Sequence, residues 1–162
     1  LPDFVGILRR LREANVDFVL VGGLAAAAHG CSLITQDVDV CIRLGSENLE
    51  RLQDALNDFE PVHRMARQRI PFEHDAATLA TFRDIYLYTR LGRLDCLGMV
   101  LGIGDFDAVV RRSVEVEIDD TLVRIISIDA LIEAKVAMNR DRDKLAVEQL
   151  RAIKRIRDPD TR

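Results

Sequence analysis

Along the chain the apolar residues change their spacing several times, and each change marks an element. Phe4, Ile7, Leu8 and Leu11 recur every three or four residues with Arg9, Arg10 and Arg12 mostly opposite, which predicts a packing helix from Phe4 to Ala14. Phe18-Val19-Leu20-Val21 is a short, continuous β-branched and aromatic run, the pattern of a buried strand, closed by Gly22-Gly23. Leu24 to His29 reads as a short helix. Its four alanines leave little side-chain bulk, so it can lie close on a sheet, and Gly30 is placed to end it in a left-handed cap. Asp37 to Ile42 alternates: Val38, Val40 and Ile42 point to one face of a strand, Asp37 and Asp39 to the other. Gly45-Ser46 stops the extended run. Ser46 is expected to cap a helix from Glu47 to Asp58, with Leu49, Leu52, Leu56 and Phe59 as its buried stripe.

Pro61 to Thr81 shows no period. His63, Arg64, Arg67 and Arg69 make it basic, and it reads as a solvated connection or a substrate-facing loop. Ile85–Thr89 and Arg93–Leu97 form a hairpin pattern around Leu91-Gly92, with Asp95 the one acid of that region inside a strand pattern. Gly102-Ile103-Gly104 is not a dinucleotide fingerprint, because Asp107 stands where the third glycine belongs. Phe106–Arg111 reads as a short helix, and Val114–Ile118 with Leu122–Ile126 as a hairpin at the sheet edge about Asp119-Asp120. Ser127 caps a last long helix whose expected stripe is Leu131, Ile132, Ala134, Val136 and Met138. This order predicts an α/β (α+β) chain, a small mixed sheet flanked by helices, with residues 1–126 as the core and 127–162 as a helical extension packed on it.

Composition narrows the class without naming a chemistry. The 162 residues suffice for one domain with a sizeable core, 48% are hydrophobic and 31% charged, which is ordinary globular composition. No tract is apolar enough to span a bilayer and no secretory pattern opens the sequence, so the expectation is a cytoplasmic protein with no membrane partner. Cys31, Cys41 and Cys96 are odd in number and lack metal spacing, so they read as small core residues. His29, His63 and His74 form no ligand pattern, and His29 reads as a structural histidine.

The chemistry begins at Asp37 and Asp39. Two carboxylates on one strand face repel each other, so a cation is expected between them. A hard ion such as Mg²⁺ takes carboxylate and phosphate oxygens together, and the preceding Gly-Gly turn offers bare backbone N–H groups for phosphates. At these residues the sequence resembles the polymerase β-like nucleotidyltransferase superfamily, whose signature is a Gly-Gly or Gly-Ser turn followed by Asp-x-Asp. GGLAAAAHGCSLITQDVDV is most similar to its bacterial AbiEii-type, toxin-like branch. The resemblance covers about Val16 to Leu150. It implies a minimal nucleotidyltransferase fold, Asp37, Asp39 and Asp95 as catalytic carboxylates holding two Mg²⁺ ions, and Gly22, Gly23, Thr35, Lys135 and Asp143 around the nucleotide.

The implied reaction is transfer of a nucleoside monophosphate from an NTP to an acceptor hydroxyl. RNA such as tRNA, a protein or a small molecule are all open as acceptor, and an antitoxin protein is an implied partner. Where that branch often has an arginine two residues before its threonine, this chain has Leu33, which leaves a catalytically silent nucleotide-binding or interaction module as the alternative. From Lys135 to Arg157 eight basic residues face three acidic ones; a phosphate-facing surface and a solvated helix explain that charge equally well.

Overall fold

A computed structural model describes residues 1–160. In chain order the elements are α1 (Phe4–Glu13), β1 (Phe18–Val21), α2 (Gly22–His29), β2 (Asp37–Ile42), α3 (Ser46–Leu56), β3 (Val62–His63), α4 (Ala76–Leu79), β4 (Asp84–Thr89), β5 (Gly92–Leu97), β6 (Met99–Val100), β7 (Gly104–Asp105), α5 (Phe106–Arg111), β8 (Ser113–Ile118), β9 (Thr121–Ile126), α6 (Ile128–Met138) and α7 (Asp141–Arg157). The main sheet has seven strands in the order β3-β4-β5-β2-β1-β9-β8, and β6 with β7 makes a separate small hairpin. It is mixed: β2 pairs parallel with β5 and β1 parallel with β9, while the other neighbours are antiparallel.

The alternation in β2 governs the layers. Val38, Val40 and Ile42 are fully buried, and Leu94 and Cys96 pair beside Val38 and Val40 on the same face. Ile7, Leu8 and Leu11 of α1 and Leu49, Leu52 and Leu56 of α3 complete the apolar layer. The slim helix α2 packs on β1 and β2, and α6 and α7 pack on α2 and on each other. Gly30 ends α2 at φ 115°, the left-handed cap expected of it. Asp119 and Asp120 both take positive φ, 47° and 62°, as a two-residue hairpin loop requires.

Several expectations are corrected. Gly45, not Ser46, is the N-cap of α3: its φ of 116° suits glycine, the Ser46 side chain makes no capping bond, and a 3₁₀ turn over Asn57–Phe59 replaces the last helical turn. Phe59 is half-buried, with the Arg10 guanidinium 4.9 Å over its ring. The single last helix is two. Asn139 takes a left-handed conformation (φ 54°) and Arg140 an extended one, so the chain turns and starts again as α7. The buried side of α6 is therefore Ala130, Leu131, Ala134 and Lys135, while Val136 and Met138 are exposed.

Pro61 to Thr81 is also more ordered than its sequence suggests. β3 joins the sheet, Phe72 and Leu79 are buried, and the rings of His63, Phe72, His74 and Phe82 cluster with centroids 5.0–6.4 Å apart. Such a cluster needs no periodic spacing. Among the described residues, no helix is long and apolar enough to cross a membrane.

Candidate active site

Strand register builds the floor of the site. Asp39 pairs with Asp95 and Asp37 with Arg93 across β2 and β5; Asp95 pairs with Tyr86 and Arg93 with Tyr88 across β5 and β4. Paired residues share a sheet face, so two polar rows cross three strands: Tyr86-Asp95-Asp39 and Tyr88-Arg93-Asp37. One carboxylate oxygen from each of Asp37, Asp39 and Asp95 lies within 4.8 Å of the others.

The glycine turn fits against these carboxylates. Gly22 has φ +67°, and a Cβ on it would lie 2.3 Å from Oδ2 of Asp39. A Cβ on Gly23 would lie 2.8 Å from Oγ1 of Thr35. Both positions therefore exclude a side chain for want of space, and Gly22 also for its backbone conformation. Thr35 donates its hydroxyl to the Asp37 carbonyl at 3.1 Å, which holds the end of β2. Among the described residues, no side chain caps the first turn of α2, so its amides have no side-chain acceptor there.

Charge is concentrated unevenly here. Burial, then the charges of Asp37 and Asp95, push the Asp39 carboxyl up to about 7, although Lys135 and Arg142 work the other way. Burial also raises Asp95, opposed by a hydrogen bond of 2.5 Å from Nη2 of Arg64. The Arg64 guanidinium lies 5.5 Å from the Tyr86 ring centroid and 5.9 Å from that of Tyr88. On the other side of the triad, buried Lys135 places Nζ 3.6 Å from Oδ1 of Asp143. Asp143 accepts from the backbone N–H and the side chain of Arg140, the closest contact being 2.6 Å. Burial opposes its charge, but Arg140 and Lys135 hold it below the ordinary aspartate range.

The sequence candidates thus fall into two groups. Asp37, Asp39, Asp95, Gly22, Gly23 and Thr35 meet at one end of β2, with Lys135 facing Asp39 electrostatically. Asp143 lies outside the carboxylate cluster, its oxygens occupied by Arg140 and Lys135. Four further residues border the site without a sequence signal singling them out: Arg64, Tyr86, Arg93 and Arg142. Tyr86 faces Asp95 because the β4–β5 hairpin turns at Arg90-Leu91; a turn at Leu91-Gly92, as the sequence suggests, would set Tyr88 there instead, so the structure decides that register, and nothing local marks Arg64. His29 is buried, with Nε2 2.8 Å from the Ile126 carbonyl, and burial lowers its pKa, as fits a structural role. The three cysteines are buried and unbonded.

No protein-family model and no curated protein matches the chain by sequence. Solved structures do match by shape. The lincosamide antibiotic adenylyltransferase LnuA, lincomycin-bound, superposes with a TM-score of 0.60 at 16% identity over 93% of this chain and 96% of its own. The antibiotic-resistance factor ANT(2'')-Ia does so with a TM-score of 0.54 at 16% identity, covering 94% of this chain and 89% of that one. Its complex with adenylyl-2''-tobramycin gives 0.50 at 13% identity, over 91% and 94% respectively. The chain has the fold of these nucleotidyltransferases.

Proposed function

We propose that this protein is a Mg²⁺-dependent nucleotidyltransferase that moves a nucleoside monophosphate from an NTP to an acceptor hydroxyl. The observation that carries the reading is the convergence of Asp37, Asp39 and Asp95 within 4.8 Å, against a glycine whose missing Cβ makes the room. Three carboxylates are a hard, all-oxygen donor set that suits Mg²⁺, so Asp37, Asp39 and Asp95 would hold the metal together with phosphate oxygens of the NTP. Two such ions supply a lowered acceptor pKa and charge stabilisation for the leaving pyrophosphate. The chain's own residues do the rest. Amides of Gly22 and Gly23 cradle phosphate oxygens, Thr35 holds the Asp37 end of β2, and Lys135 offers its ammonium to the triphosphate while Asp143 positions it. Asp95 accepts the proton of the acceptor hydroxyl.

Residues 127–162 belong to this proposal as an extension that brings Lys135 to a core of residues 1–126; Thr161 and Arg162 lie outside the described residues. The AbiEii-type branch, a toxin action under an antitoxin, and RNA or protein as acceptor rest on motif resemblance alone. Leu33, where that branch often carries arginine, favours the second reading, a silent nucleotide-binding module.

Incubation with each labelled NTP, Mg²⁺ and a panel of acceptors tests both. Asp95→Asn should keep NTP affinity and lose transfer by at least about a hundredfold, because its role lies in the transition state. Lys135→Ala should weaken NTP binding as well as turnover. NTP binding without transfer to any acceptor would select the silent module, and a fully active Asp95→Asn would sink the mechanism.

A further inference from the structure

The triad divides the polar sheet face into two sides. Toward α2 and the α6–α7 corner lie the glycine turn, Lys135 and Arg142. Toward β4 lies a groove of about 350 Å³ lined by Pro2, Thr35, Gln36, Tyr88, Thr89, Gly92 and Arg93. It adjoins the triad directly, since Arg93 pairs with Asp37 in register and Thr35 bonds to the Asp37 carbonyl. Its chemistry is one-sided: there is a guanidinium, an aromatic ring, hydroxyls and an amide, and no carboxylate.

Arg93 is the only charged member of that lining, and among the described residues no ion pair joins it to a carboxylate. Its guanidinium lies 5.7 Å from the Tyr88 ring centroid, which braces it while leaving its N–H donors free for a ligand. Tyr88 is 45% exposed, so the phenol forms an open wall. Deeper in, the Arg64 guanidinium lies 5.5 and 5.9 Å from the Tyr86 and Tyr88 ring centroids, but its charge is paired with Asp95, which leaves Arg93, among the described residues, as the unpaired cation of this side. An aminoglycoside polycation would meet the Arg93 guanidinium and no carboxylate among the described residues of this lining. A planar fork on an aromatic support is suited to phosphate oxygens.

Resting on the nucleotidyl-transfer reading, we propose that the acceptor is a phosphate-bearing molecule, held in this groove by Arg93 against Tyr88 with its hydroxyl directed at the triad. The hydroxyl oxygen forms a bond to the α-phosphorus of the NTP, the bond from that phosphorus to the bridging oxygen breaks, and its electron pair leaves with pyrophosphate. The hydroxyl proton passes to Asp95. Arg93 is thereby a specificity residue for the acceptor and has no role toward the donor.

The test is transfer from labelled NTP with Mg²⁺ to three probes: uridine 5′-monophosphate, a 5′-phosphorylated oligoribonucleotide and tobramycin. Label is expected on one or both phosphate-bearing probes, which separates a small phosphate ester from a nucleic-acid end, and not on tobramycin. Arg93→Gln should raise the acceptor KM at least tenfold with the NTP KM unchanged, and Arg93→Lys should recover part of the loss, since it restores charge without the planar fork. Transfer to tobramycin in preference to both phosphate probes would overturn the inference and leave the transferase reading standing. An Arg93→Gln variant with unaltered acceptor KM would do the same. Absence of Mg²⁺-NTP binding by calorimetry would remove the transferase reading, and this inference with it.

Discussion

Asp39 and Asp95 meet different counter-charges, and this sets their separate behaviour. Asp95 has Arg64 within hydrogen-bond distance, whereas Asp39 sees Lys135 and Arg142 only through space and is wedged under Gly22. Burial and its two acidic neighbours therefore bring Asp39 to a pKa of about 7. An unfolded aspartate titrates near about 4, so between those values the folded chain binds more protons than the unfolded one. Stability must then fall as pH rises through that window and level off above it. Thermal melts in EDTA from pH 5 to pH 8 should show this decline, and Asp39→Asn should flatten it and melt no lower than wild type at pH 8. Mg²⁺ should stabilise wild type more at pH 8 than at pH 5, because the ion competes with the proton for the same oxygens. A flat wild-type profile would mean that the Asp39 charge is compensated within the protein.

At the level of elements, the site depends on β1 and β2 being held in register from their far end. Asn48, on α3 and almost completely buried, does this. Its Oδ1 accepts from the Asp17 N–H at 2.7 Å, and its amide donates to the carbonyls of Asp17 at 3.1 Å and Arg43 at 2.9 Å. One side chain thus satisfies the backbone just before β1 and just after β2. Asn48→Ala strands two backbone groups, the Asp17 N–H and the Arg43 carbonyl, while the Asp17 carbonyl keeps the Arg43 N–H at 3.2 Å; it should cost about 3 kcal/mol in urea unfolding, given about 1–3 kcal/mol for each buried unsatisfied group. A loss below half of that would show that the strand ends are fixed by the Phe18 to Val21 pairing alone. The α6–α7 corner is the second such device: Asn139 turns the chain, and the Asp143 carboxylate accepts from the Arg140 backbone N–H and guanidinium at the start of the new helix, so that Asp143 lies against Lys135.

Across the whole molecule, polar groups converge at one end of the central strands, while β8 lies at the opposite edge of the sheet from β3 and β4. Nucleotide binding should therefore be read out regionally. Hydrogen exchange with Mg²⁺ and NTP is expected to slow in the first turn of α2 and around Arg140 to Asp143, and to leave the β8–β9 hairpin unchanged. Uniform protection would indicate global stabilisation by binding elsewhere. The sheet order also explains how a chain of this size reaches the triad from two directions. Parallel pairing of β2 with β5 sets Asp95 beside Asp39, and parallel pairing of β9 with β1 returns the chain so that α6 and α7 can pack on α2.

Sequence alone determined the elements whose pattern is local. The Phe18 to Val21 strand, the glycine turn, the Asp37 to Ile42 alternation and both hairpins were legible because side-chain period and turn residues act within a few positions. It also placed Asp37 and Asp39 on one face, since alternation on a single strand needs no partner. Other features were decided only by tertiary structure. The break at Asn139 looked like continuing helix, because asparagine is tolerated there until packing of α7 on α6 selects the left-handed turn. Likewise the basic stretch after Pro61 carried no period. Arg64 reaches Asp95 from 31 residues away in sequence because β3 pairs with β4 and β4 with β5. The distance between those carboxylates and their counter-charges is a property of strand order. Strand order is set by which apolar faces can be buried together, and that is a contest among all the elements at once.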